Sequence, residues 1–124
     1  MVNASNLTFR NDGLNLNLAI SYGSKTEIIN ALKQITEKVK KNIISIENID
    51  EKLINEHLYT KISKDVDLLI RTGGEFRLSN FLLWQNSYAE LLFYEMLWPD
   101  FRKKDFYDSI LTFQKRNRRF GKTN

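Results

Sequence analysis

The sequence contains no cysteine. That excludes a disulfide framework and a thiolate metal site, and it fits a reducing cytosol. Residues 1–13 lack a cationic start followed by an apolar run, so no secretory signal is read there. No stretch approaches the ~18 consecutive apolar residues of a membrane span. The full Walker A pattern Gly-x-x-x-x-Gly-Lys-Ser/Thr is absent, since Arg116 stands where Gly121-Lys122-Thr123 would need a glycine, and so is Gly-x-Gly-x-x-Gly, which excludes the dinucleotide fingerprint. There are no repeats, no low-complexity tract and no composition shift marking a domain boundary. What remains is 124 residues with ordinary apolar content, enough for one small domain at most. Net charge is +4, and the excess is local: Lys115, Arg116, Arg118, Arg119 and Lys122 crowd the C-terminus. Such a tail suits an anionic ligand, a membrane surface or a solvated helix face.

Leu14, Leu16, Leu18 and Ile20 alternate with Asn15, Asn17, Ala19 and Ser21, a period of two that predicts a strand over 14–21. Gly23 breaks it. Ser24 stands three residues before Glu27, a capping-box spacing, and Ile28, Leu32, Ile35 and Val39 follow at helical intervals. A helix is predicted over 25–41 and a weaker one over 50–59. His57, the only histidine, is placed on the surface of the latter. Residues 66–70 form a nearly continuous apolar run interrupted by Asp67, which suits a strand covered on both faces. Residues 81–85 read as a short helix and 90–94 as a strand, with helix as the alternative. Trp98-Pro99-Asp100 marks a turn. Phe106, Ile110, Phe113 and Phe120 share a stripe on a last helix over 103–118. Trp84 and Trp98 read as packing residues. The alternation predicts an α/β fold with a mostly parallel sheet flanked by helices.

Ligands of open α/β sheets sit beyond the C-terminal ends of the strands. Two loops qualify, 21–25 and 71–80. The second carries Arg71, Gly73, Gly74, Arg77, Ser79 and Asn80 ahead of a predicted helix start. Arginine presents a planar fork of donors matched to phosphate oxygens. Adjacent glycines let backbone N–H groups approach an anion, and a helix N-terminus favours negative charge. This composition points to a phosphate or diphosphate site; the competing reading is a structural turn in which Arg71 pairs with Glu75 or Asp67. Nucleic acid is disfavoured, because the basic tail lacks interleaved aromatics for base stacking.

The run from Asp67 through Arg71-Thr72-Gly73-Gly74-Glu75-Phe76-Arg77-Leu78-Ser79-Asn80 to Trp84-Gln85, continuing through Tyr88-Ala89-Glu90 to Trp98-Pro99-Asp100-Phe101, closely resembles the last signature block of the cis-prenyltransferases. These are the undecaprenyl diphosphate synthases and their kin. The stretch from Gly13 to Ile28 resembles an earlier block of that family, and Arg119-Phe120-Gly121 its closing Arg-x-Gly. The resemblance runs from about Asn11 to Gly121. It implies an enzyme that condenses isopentenyl diphosphate onto an allylic diphosphate such as farnesyl diphosphate, yielding a polyprenyl diphosphate for the cell-wall lipid carrier.

By position, the resemblance implies that Arg71, Arg77 and Ser79 hold the diphosphate of isopentenyl diphosphate. It implies that Glu90 helps hold Mg²⁺ on it, and that Arg119 and Gly121 reach across a homodimer toward the partner's site. Glu75, Asn80 and Trp84 take support roles. It also implies a cytoplasmic protein with at most peripheral contact at the inner membrane face. Ser21, Ser24 and Lys25 stand where the family has asparagine, glycine and arginine, which puts a backbone-mediated anion contact at that loop in question. The family's first block, Met-Asp-Gly-Asn-Gly-Arg-Trp, with its catalytic aspartate, does not occur among these residues. The expectation is therefore a single partial domain over 1–124, the C-terminal half of the fold, carrying the isopentenyl diphosphate half of the site. The alternative is a non-catalytic fragment or dimerisation partner of an intact enzyme.

Overall fold

A computed structural model describes residues 2–63 and 65–119. Helix α1 covers Val2–Thr8, α2 Ser24–Lys40, α3 Glu51–His57 and α4 Lys103–Gln114; strands β1 and β2 cover Leu68–Arg71 and Glu90–Phe93. Single 3₁₀ turns occupy Ile46–Asn48 and Trp98–Asp100.

The two strands pair in parallel, with Leu68 opposite Glu90 and Arg71 opposite Phe93. The α/β class with a parallel sheet therefore holds among the described residues. Leu69, at the centre of β1, is buried, as the apolar run over 66–70 led one to expect. Strand β1 ends at Arg71, so the loop that follows starts at the sheet's C-terminal edge.

Helix α2 turns one stripe inward: Ser24, Glu27, Ala31 and Ile35 are buried, at three- and four-residue spacing. Leu32, expected on that stripe, is half exposed. The helix stops in a Schellman arrangement. Asn42 adopts φ 54°, its N–H donates to Val39 O, and Ile43 N–H donates to Lys38 O. Helix α3 is started by Asp50, whose Oδ1 accepts from Leu53 N–H at 2.8 Å. Helix α4 is started by Asp105, whose Oδ2 accepts from Arg102 N–H at 2.8 Å.

Several expectations are corrected. Residues 14–21 form no ladder, and Leu14, Leu16, Leu18 and Ile20 stand between 64 and 86 % exposed. Period two gives a strand only where a neighbour accepts its backbone bonds, and β1 pairs with β2 alone. Ser24 does not cap α2: Gly23 holds the N-cap position, with no side-chain cap from the helix's own residues. Residues 81–85 are turns, and α4 ends at Gln114 rather than near 118. His57 is buried, because Nε2 meets Lys38 Nζ at 2.7 Å and Nδ1 meets Leu53 O at 2.7 Å, closing α3 onto α2. Trp98 is exposed and stacks on Phe101, at 5.9 Å between ring centroids. Phe106, read as core, is about half exposed. Phe120 lies outside the described residues.

Candidate functional site

The loop after β1 is shaped by its glycines and by Arg71. Gly73 and Gly74 adopt φ of 94° and 72°, a left-handed pair that residues with a Cβ rarely enter. Their N–H groups donate to Met96 O and Tyr94 O, at 2.8 and 2.9 Å. This corrects the idea that they point at an anion: the glycine amides fasten the loop to the chain leaving β2. The loop then returns, and Arg71 Nη1 donates to Arg77 O and to Ser79 Oγ, the latter at 3.2 Å. Arg71, Arg77 and Ser79 are thereby brought together at one edge of the sheet.

Neither competing pairing of Arg71 occurs. Glu75 pairs with Arg77 instead, and Asp67 pairs with Arg118 at 2.5 Å. The Arg77–Glu75 pair has side chains 61 and 46 % exposed, so it holds weakly and its guanidinium is easily redirected to a more highly charged anion. The loop carries two guanidinium groups and a hydroxyl, of which Arg71 and Ser79 meet directly and Arg77 is joined to Arg71 through its backbone carbonyl. This set suits a diphosphate.

The loop at 21–25 belongs to the same rim. Ser24 N–H donates to Asn80 O and Lys25 N–H to Asn80 Oδ1, both at 2.9 Å, while Leu83 N–H donates to Ser24 Oγ at 3.0 Å. The first amides of α2 are consumed by Asn80, so no anion is held by them. Beneath the rim lies Glu27, fully buried. Its carboxylate accepts from Tyr22 OH, from Tyr59 N–H at 2.7 Å and from Gln85 Nε2 at 3.1 Å. Burial, and then the hydrogen bond to Glu27, pushes the Tyr22 phenol up to about 12. The sequence had hidden Glu27 as half of a capping box. The available signal was its place on the buried stripe, four residues before Ala31 and eight before Ile35.

Glu90 is not with this cluster. It opens β2 opposite Leu68, three residues or about 10 Å along the sheet from the Arg71 end. Its Oε2 accepts from Arg116 Nη1 at 2.6 Å. Arg118, paired with Asp67, lies at this same end, and a cleft of about 680 Å³ opens there among Asp65, Asp67, Trp84, Gln85 and Arg118. Arg119 is exposed, and Gly121 lies outside the described residues. A hard cation needs oxygen ligands, usually a carboxylate or two beside the phosphate oxygens. Among the described residues there is no cluster of three acidic, histidine or cysteine side chains, and Glu75, on the same loop as Arg71 and Ser79, is already paired with Arg77. Within one copy, then, Arg71, Arg77 and Ser79 and the Mg²⁺ residue expected at Glu90 do not fit a common metal site.

The family described as "Putative undecaprenyl diphosphate synthase" matches residues 1–121. This chain belongs to that family. The isoprenyl transferase of Bacillus subtilis is 51 % identical over 114 residues, covering 92 % of this chain and 44 % of that protein. The ditrans,polycis-undecaprenyl-diphosphate synthase of Haemophilus influenzae, described as (2E,6E)-farnesyl-diphosphate specific, is 52 % identical and covers 97 % of this chain and 50 % of its own. Among solved structures, lavandulyl diphosphate synthase from Lavandula x intermedia, in complex with dimethylallyl diphosphate, superposes with a TM-score of 0.94 at 40 % identity. The match covers 98 % of this chain and 52 % of that one. A probable undecaprenyl diphosphate synthase from Campylobacter jejuni gives 0.80 at 41 % identity, covering 98 and 54 %. The chain thus spans about half the length of the synthases it matches. Among the described residues no helix is long and apolar enough to cross a membrane.

Proposed function

We propose that this chain holds isopentenyl diphosphate for cis-prenyl transfer, the condensation that extends an allylic diphosphate such as farnesyl diphosphate toward undecaprenyl diphosphate. The observation that carries the reading is the tie of Arg71 to Ser79 Oγ and to the backbone carbonyl of Arg77, on one loop at the C-terminal edge of the sheet. The guanidinium groups fix the diphosphate by charge and by paired hydrogen bonds, and the Ser79 hydroxyl adds a donor. The homoallylic carbon chain is thereby placed at a fixed distance from the anchor. Placement of this kind converts an encounter into a near-unimolecular step. A second diphosphate must be held nearby for bond formation, and its leaving group stabilised as charge develops. The chain's one described cluster of arginine and hydroxyl donors serves a single diphosphate.

In a single copy Glu90 lies away from the Arg71 end, and Arg119 is exposed. Their expected roles, Mg²⁺ on the diphosphate and contact with a partner's site, call for a second copy of the chain. Gly121 belongs to the same tail. The exposed leucines of residues 14–20 favour a chain that contributes to a larger assembly over one that catalyses alone.

Calorimetric titration with isopentenyl diphosphate tests the proposal. Saturable one-site binding is expected, weakened at least tenfold in Arg71→Ala because one charge-assisted anchor and the loop's internal tie are both lost. Binding that is unchanged by Arg71→Ala, or absent from the folded wild-type chain, sinks it.

A further inference from the structure

The loop that carries Ser79 is held in a shape its sequence disfavours. Ser79, Asn80 and Leu82 adopt φ of 48°, 64° and 47°. Asparagine tolerates that region; serine and above all leucine do so rarely. Three such residues within four positions persist only where neighbouring structure over-determines them. That structure is the start of α2. Asn80 gives two acceptors to it, its carbonyl to Ser24 N–H and its Oδ1 to Lys25 N–H. Helix α2, 17 residues long and capped at Gly23 without a side chain of its own, therefore receives its N-cap from a residue 55 positions away. The exchange is reciprocal, because Ser24 Oγ accepts from Leu83 N–H just beyond the strained leucine. The approach is close enough that a Cβ at Gly23 would stand 2.9 Å from Asn80 Nδ2.

We infer that Asn80 is a positioning residue for the diphosphate. By capping α2 it fixes the backbone turn that presents Ser79 Oγ to Arg71, and Ser24 is the other half of the same latch. Neither residue touches the anion in this arrangement. The inference rests on the diphosphate reading of Arg71, Arg77 and Ser79, and goes beyond it by assigning what shapes their loop.

The test is a double-mutant cycle in the full chain, read by isopentenyl diphosphate affinity. Asn80→Gly keeps access to positive φ and the backbone carbonyl but removes the side-chain cap on Lys25 N–H; Ser24→Ala removes the reciprocal acceptor. Each is expected to weaken binding about tenfold in protein shown to be folded, and the double variant no more than the weaker single, since both break one device. A merely structural role moves the unfolding midpoint and leaves the affinity of the folded fraction alone. Unchanged affinity in Asn80→Gly, or strictly additive losses, overturns the inference. Amide exchange at Ser24 and Lys25 separates the two levels. If the wild-type chain fails to bind, the diphosphate reading has failed and the positioning role falls with it. Loss of protection in Asn80→Gly still shows the cap itself, and equal protection in both proteins overturns that too.

Discussion

Two stretches of similar length lie side by side in the chain, and they fold on opposite terms. Residues 14–20 are patterned as a strand and carry four large apolar side chains, yet all four stand in solvent. Residues 22–27 carry Tyr22, Ser24, Lys25 and Glu27, a composition that suggests a surface. Two of them, Ser24 and Glu27, are nonetheless completely buried and hydrogen-bonded to groups far along the chain. The difference is the supply of partners. Apolar burial needs a covering surface, and no described residue covers Leu14, Leu16 and Leu18. Polar burial needs a matched donor or acceptor, and the turns over 80–86 supply several.

The largest expected effect comes from breaking the polar side. Glu27→Leu keeps the volume but leaves Tyr22 OH and Tyr59 N–H without their acceptor and Gln85 Nε2 with Thr60 Oγ1 alone of its two. A loss of about 3 kcal/mol or more is expected in urea unfolding, enough to unfold a chain of this size in part. A loss below about 1 kcal/mol would show that the buried network is not what holds α2 in place.

An intermediate effect is expected with pH. The folded state keeps the Tyr22 proton to about 12, whereas the unfolded phenol releases it near 10. Between those values the unfolded chain binds fewer protons, so stability falls as pH rises through that window and Tyr22 contributes no slope below it. Tyr22→Phe removes this part of the alkaline slope. A denaturation profile that is the same in both proteins between pH 10 and 12 would remove Tyr22 from the network.

The smallest effect is expected on the apolar side. Leu16→Asn changes a side chain that is 77 % exposed, so stability stays within about 0.5 kcal/mol. A loss of about 2 kcal/mol, of the kind a core leucine shows, would mean that this stretch is covered in solution and that the contrast is false.

The same contrast marks what was legible from the sequence. Period and apolar runs located α2, α3, β1 and β2 to within a few residues, because each reports a face against the chain's own core. They misplaced 14–21, since period two records a strand's preference and says nothing of a neighbour. The arginines and serine of the loop after β1 were legible as candidates because their chemistry is in the side chain. The roles of Gly73 and Gly74 were not, because an N–H group can face an anion or a carbonyl with identical sequence. Glu27, Asn80 and His57 went unread as structural centres, since each is satisfied by a partner between 19 and 58 positions away along the chain. Glu90 was read into the diphosphate cluster by resemblance, and its distance from Arg71 follows only from the strand register.

The most direct measurement is a ¹H–¹⁵N NMR titration of the chain with isopentenyl diphosphate. Saturable shifts centred on Arg71, Arg77, Ser79 and Asn80, including the Arg71 and Arg77 guanidinium resonances, are the predicted result. Shifts confined to the basic residues 115–119, or none in a folded chain, would contradict a diphosphate site built on the loop after β1.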